Sequence, residues 1–108
     1  MHIQVVNFNL KDLSEADYNR ACDEQFAPVF ADIPGLIAKI WLSDPATNTY
    51  GGVYAWRDRD AMLSFQQTDL FKGVIGHPNF ANLTSRDYAV MDGPTRVTNG
   101  IFAEALRA

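Results

Sequence analysis

"TYGGVYAW", Thr49–Trp56, is the stretch on which the fold turns. Tyr50, Tyr54 and Trp56 share one face of an extended chain and Val53 and Ala55 the other, so the segment reads as a strand of period two. Two consecutive glycines inside a strand mark a bulge, or a close approach by another backbone or a ligand. Upstream, "DPATN" (44–48) is a turn, and "LIAKIWLS" (36–43) is a second strand that pairs with the glycine strand as a hairpin.

Working outward, "HIQVVNFNL" (2–10) alternates as a strand, with Val6, Phe8 and Leu10 on one face and Ile3, Val5, Asn7 and Asn9 on the other. Ser14 is an N-cap with Asp17 three residues on, and Leu13 and Tyr18 sit at staple positions. The helix it opens carries the stripe Tyr18, Cys22, Phe26, Val29, Phe30 and Ile33, which Pro28 should kink or divide, and Pro34-Gly35 stops it. Asp58 caps a second helix containing Ala61, Met62 and Phe65, and Asp69 caps a further turn, "LFKGVIG". A fourth strand is expected at about 84–92, "TSRDYAVMD". The tail should give a short edge strand, a turn at Asn99-Gly100 and a helical arm.

The order strand-helix-strand-strand-helix-strand predicts an α+β, ferredoxin-like split βαβ fold, with a four-stranded antiparallel sheet and both helices on one face. The 108 residues suffice for one such domain, 1–108. Helices cover only one face, yet the second strand is apolar on both, with Leu36, Ala38, Ile40 and Leu42 opposing Ile37 and Trp41. A homodimer joined sheet to sheet would cover the remainder. Small residues such as Ala38, Val53 and Ala55 suit the helix-packed face, and the aromatics suit the face turned to a partner or a ligand.

Nine Lys and Arg against 13 Asp and Glu give a net charge of -4, which lacks the basic footprint that nucleic acid requires. One cysteine excludes an internal disulfide, and with two histidines cannot build a typical structural zinc site. The start has neither a signal-peptide pattern nor a membrane span, so the expected location is cytoplasmic. Nucleophile-elbow, dinucleotide, phosphate-loop and zinc-protease motifs are absent from the sequence.

"IPGLIAKIWLSDPATNTYGGVYAWRDRDAM" followed by "DLFKGVIGHPNFANLTSRDYAV" resembles the monooxygenase family of the dimeric α+β barrel, or ferredoxin-like, superfamily. The best markers are Pro34-Gly35, Lys39 with Trp41, and Gly51-Gly52-Val53-Tyr54. The resemblance implies an antibiotic-biosynthesis-monooxygenase-like homodimer with a pocket in each subunit between sheet and helices. It also implies oxygenation of phenols or quinone precursors by molecular oxygen without flavin, haem or metal, so no cofactor is expected.

Such chemistry asks the protein for desolvation, orientation and a base or hydrogen bonds. Asn7 is a candidate to orient a phenol or quinone oxygen, or is an amide satisfied by backbone. Trp41 can stack on a flat ligand or serve as core or interface; Tyr54 can hydrogen-bond a substrate oxygen or lie at the interface with its hydroxyl in water. Lys39 can lower the pKa of a bound phenol or snorkel along the sheet. Arg86 can stabilise an anion or pair with Asp87 at the surface. His77 is the natural base candidate, or caps a helix end. Cys22 reads as a small buried hydrophobe. The expected function is a cofactor-independent monooxygenase acting on a flat aromatic or quinone-type molecule, with a non-catalytic binder of small hydrophobic ligands or a cofactor-free isomerase or decarboxylase as alternatives. The crowding at Gly51-Gly52 should then come from the partner's sheet or from a ring beside Trp41 and Tyr54.

Overall fold

The computed structural model describes residues 1–98. The elements run β1 (His2–Leu10), α1 (Glu15–Ala21), a π-turn (Cys22–Phe26), α2 (Ala27–Ala31), β2 (Leu36–Asp44), a 3₁₀ turn (Pro45–Thr47), β3 (Thr49–Trp56), α3 (Arg59–Gln66), α4 (Asp69–Ile75), β4 (Phe80–Ala89) and α5 (Asp92–Thr98). The strands form one antiparallel sheet in the order β2-β3-β1-β4, the ferredoxin-like arrangement that the element order predicts. No helix among the described residues is long and apolar enough to cross a membrane.

The helix starts follow from side-chain capping of free N–H groups. Ser14 Oγ accepts from the Asp17 N–H at 3.1 Å, and Asp58 Oδ1 from that of Ala61 at 2.8 Å. α4 is capped by Thr68, whose hydroxyl accepts from the Phe71 N–H at 3.3 Å, so the expected cap Asp69 is instead the first helical residue. Pro28 divides the first helix through the turn that precedes it. The Ala27 N–H reaches back five residues to the Cys22 carbonyl, which widens the helix before the proline ring would crowd the turn behind it. One residue inserted in this way rotates the next turn by about 100°. Phe30 is therefore buried, whereas Val29, expected in the apolar stripe, is 51% exposed.

The two sheet faces are the reverse of the expected assignment. Tyr50, Tyr54 and Trp56 are all buried against the helices with Phe8, Val6, Met62 and Phe65, and the small residues lie on the outer face. β2 joins this arrangement through a bulge: Leu36 pairs with Trp56 but Ala38 with Ala55, so Leu36, Lys39 and Trp41 all face inward. A second bulge makes β4 begin at Phe80 instead of about 84. Asn7 pairs with Thr84 while Asn9 pairs with Ala81, leaving one additional residue on β4 beside Asn82, which is left-handed at φ 56°. Stacking of Phe80 on Phe8 at 4.2 Å holds the extra length of strand. The expected edge strand in the tail is α5 through Thr98; a proline three residues into the segment suits a helix's first turn better than a sheet. The Asn99-Gly100 turn and the arm lie outside the described residues.

The glycine pair is crowded by this chain itself. Gly51 has φ 146°, and a Cβ there would overlap the Val6 carbonyl oxygen of β1. At Gly52 a Cβ would lie 2.7 Å from Lys39 Cε. The first glycine lets β1 and β3 approach, and the second leaves room for a side chain from β2.

Beyond the rings, the inner face carries a chain of buried polar groups. The Trp56 indole N–H donates to Gln4 Oε1 at 3.0 Å, and Gln4 Nε2 donates to Ser85 Oγ at 3.0 Å. Gln4 and Trp56 are fully buried, so the indole donor has nowhere else to go. Replacing Gln4 with Ala should therefore destabilise the fold by roughly 1–3 kcal/mol from the orphaned donor alone, measured as a lower urea midpoint at unchanged slope.

Candidate active site

Between the inner face of the sheet and the helices lies a cavity of about 280 Å³. Its floor is Val6 and Phe8 of β1 with Gly51, Gly52 and Tyr54 of β3. α1, the π-turn and α2 supply Tyr18, Phe26 and Phe30, while α4 supplies Leu70, Gly73 and Val74 on the other side. Lys39 and Trp41 complete the wall from β2, and His77 from the loop after α4. The cavity lies between sheet and helices, as the family resemblance implies.

Lys39 is the charged group of this wall that rings surround. Its Nζ sits 3.4 Å from the Trp41 ring centroid, 3.6 Å from that of Phe30 and 4.6 Å from that of Tyr54. It joins none of the ion pairs among the described residues. Ring faces attract an ammonium, by roughly 2 kcal/mol when desolvated, but they do not replace a hydration shell or a carboxylate. Burial outweighs them and pulls the amine from its usual 10.5 down to about 7. The snorkelling alternative is thereby overturned, since the amine stays among the rings instead of reaching out along the sheet.

Tyr54 pairs with Lys39 across β2 and β3, and is only 3% exposed. It stacks on Trp56 at 5.9 Å and faces the helices, not an outer interface. Burial pushes its hydroxyl pKa up, so it remains a hydrogen-bond donor at any ordinary pH. Trp41 is half-buried and meets Phe30 edge to face at 5.7 Å. His77 stacks on Phe80 at 4.3 Å, and its Nδ1 accepts from the Asn79 N–H at 3.1 Å. That bond assigns the proton of the neutral ring to Nε2.

Two expected site residues are not brought to the cavity. Asn7 alternates with Val6 and Phe8 and projects from the opposite face of β1. Arg86 pairs with Val5 and is exposed on that same outer face. Nor does Arg86 pair with Asp87, because neighbours on a strand point to opposite sides; Asp87 Oδ2 instead meets His2 Nε2 at 2.7 Å. Cys22 is partly buried against the core, and burial pushes its thiol pKa up, away from the reactive thiolate.

Residues 3–101 match the family described as "Putative mono-oxygenase ydhR". The chain belongs to this family. The solved structures that share its fold include three of note. A "putative antibiotic biosynthesis monooxygenase" from Deinococcus radiodurans is 16% identical, with TM-score 0.67 over 83% of this chain and 92% of that one. A variant of SnoaB, a cofactor-independent oxygenase from Streptomyces nogalater, is 18% identical, with TM-score 0.64 over 83% and 93%. A variant of MhuD with two manganese protoporphyrin IX molecules bound per active site is 13% identical, with TM-score 0.65 over 84% and 95%. No curated protein matches the chain.

Within this ydhR-family chain, sequence reasoning placed Lys39, Trp41, Tyr54 and His77 near a pocket and missed the helix side of it. Phe30 was legible only as one more residue of an apolar stripe, and Gly73 gave no signal. A Cβ at Gly73 would meet nothing within 4 Å, so this helical glycine lines the cavity beside open space.

The Lys39 amine also sets a pH dependence. Its folded value, about 7, lies below the unfolded 10.5, so between these the unfolded chain binds the extra proton. Stability should then rise with pH from about 7 toward 10 and be lowest below 7. Lys39→Met should remove this slope and raise the thermal midpoint below pH 7, at about 4–8 °C per kcal/mol for a domain of this size. Melting curves of both proteins across that range are the check.

Proposed function

We propose that the protein is a cofactor-independent monooxygenase acting on a flat phenolic or quinone-forming molecule, as a homodimer joined through the outer sheet faces. The observation that carries this reading is an amine of pKa about 7, held over the faces of Trp41 and Phe30 at the wall of an apolar cavity. A neutral amine there takes the proton of a bound phenol, and the resulting ammonium stabilises the phenolate beside it. The electron-rich ring then reduces oxygen directly. One oxygen atom enters at the ring carbon ortho or para to the phenolate oxygen, where C–H becomes C=O while the phenolate C–O also becomes C=O. The ring hydrogen and the proton held by Lys39 leave with the second oxygen as water, so the four electrons lost by carbon are those gained by oxygen.

The remaining residues serve this step by position. Trp41 offers a face for stacking, and Tyr54 and the Nε2–H of His77 offer hydrogen bonds to substrate oxygens. A dry cavity of about 150 Å³ accepts benzene, so the larger volume here suits a fused two-ring molecule. Membership of a monooxygenase family supports the reading, as does a fold shared with SnoaB.

The dimer rests on the outer face. Ile3, Val5, Ala38 and Val53 share it with Ile40 and Tyr88, which are 50% and 53% exposed. Half-exposed apolar side chains gathered on one sheet face favour burial against a second copy.

Oxygen uptake by metal-free protein with a panel of naphthols and hydroxylated quinone precursors tests the chemistry. Turnover without added cofactor is expected, lowered by about 10²-fold or more in Lys39→Met. Tight binding without uptake would instead favour a ligand carrier, and conversion without oxygen an isomerase or decarboxylase. For the assembly, sedimentation should give twice the 12.1 kDa chain mass, and Ile40→Glu should shift it to the monomer; a wild-type monomer at micromolar concentration would overturn the dimer.

A further inference from the structure

A partly desolvated amine on a cavity wall has a use that oxygenation does not require. We propose that Lys39 captures small aromatic aldehydes and ketones covalently, as an imine, inside the cavity between sheet and helices. The inference goes beyond the oxygenase reading and does not depend on it, because the step needs no oxygen.

Three observations carry it. The amine lines the cavity, and its close neighbours are ring faces instead of the carboxylates that hold a lysine protonated. Trp41 and Phe30 flank the nitrogen with flat apolar surfaces, which favour an aryl group attached to the reacting carbonyl. Tyr54, across the strand pair from Lys39, presents a hydroxyl that burial keeps protonated, a donor to a carbonyl oxygen on the same wall. The lowered basicity of the amine adds to these, since a large share of the nitrogen is unprotonated and nucleophilic near neutrality.

The chemistry balances without a co-reactant. The nitrogen lone pair forms a bond to the carbonyl carbon while the carbonyl oxygen takes up a proton, giving a carbinolamine. The C–O bond then breaks and the hydroxyl leaves as water, having received its second hydrogen from the original NH₂ group. Amine plus carbonyl becomes imine plus water, with no change in oxidation state. The other titratable groups lining the cavity or facing Lys39 are Tyr18 of α1, Cys22 of the π-turn, Tyr54 of β3, Asp69 of α4 and His77 after it. Burial pushes Tyr18, Cys22 and Tyr54 up, so none of these three competes as an anion at neutral pH.

The sequence makes the test clean, because the chain has only three lysines, Lys11, Lys39 and Lys72, besides its N-terminus. The folded wild-type protein is incubated at pH 7 under nitrogen with 2-naphthaldehyde and cyanoborohydride, which reduces any imine to a stable secondary amine, and labelled sites are mapped by peptide mass spectrometry. Lys39 is expected to label at least about tenfold faster than Lys11 or Lys72, following its larger neutral fraction, and 2-naphthol, which fills the cavity without a carbonyl, is expected to slow Lys39 alone. Lys39→Arg should lose the fast label while Lys11 and Lys72 label as before. Labelling spread over Lys11, Lys72 and the N-terminus with Lys39 unmodified would overturn the proposal, as would Lys39 labelling that 2-naphthol leaves unchanged. Excluding oxygen keeps the two readings separate: fast capture with no aerobic uptake would leave this inference standing and remove the oxygenase.

Discussion

The row of rings on the inner face of β3 is interrupted once, at Gly52, and the side chain of Lys39 occupies the gap. Any Cβ at that position would press on the lysine stem, and a ring there would close the cavity floor. The preceding residue makes the sheet around this gap possible. Gly51 allows the Val6 carbonyl of β1 to come where a side chain would otherwise stand, so β1 and β3 pair tightly beneath the cavity. One glycine brings two strands together and the other keeps a space open above them. The helices close over that space because Phe30, Phe65 and Met62 have no other apolar surface to meet.

An ammonium among three aromatic faces is a compromise between two forces of different reach. The rings attract the charge at contact distance, whereas loss of water penalises it wherever the cavity is dry. The balance leaves an amine that changes charge close to neutrality. Sites that move protons or attack carbonyls need such a group, and a lysine in water cannot supply it. The Tyr18 and Tyr54 hydroxyls of the wall and the nearby Cys22 thiol are driven toward their neutral forms, and His77 Nδ1 accepts from the Asn79 N–H.

Much of the architecture was legible because it rests on local rules. Caps at Ser14 and Asp58, the proline break and the hairpin at 44–48 each follow from one or two residues acting on nearby backbone, and the order of elements then leaves few topologies. What was illegible depended on insertions of single residues. The bulge in β2 turned Lys39 and Trp41 inward with Leu36, the π-turn rotated Val29 out, and the bulge at Asn82 lengthened β4. Each shifts the phase of a periodic pattern, and period is what sequence reasoning reads. The same limit explains the site. Lys39, Trp41 and Tyr54 were found through their residue types, but Asn7 was assigned without knowing which face of β1 met the helices, and Arg86 without knowing that its position on β4 faces away from the cavity.

The two tryptophans of the chain stand in opposite surroundings. Trp56 is sealed, with its indole hydrogen bonded to Gln4, while Trp41 borders the cavity with a titrating amine over its ring. Their emission therefore divides the molecule optically. One indole reports whether the core is intact, and the other responds to the charge of Lys39 and to whatever displaces water beside it, so that unfolding and occupancy leave separate signatures in a single fluorescence spectrum without any attached dye.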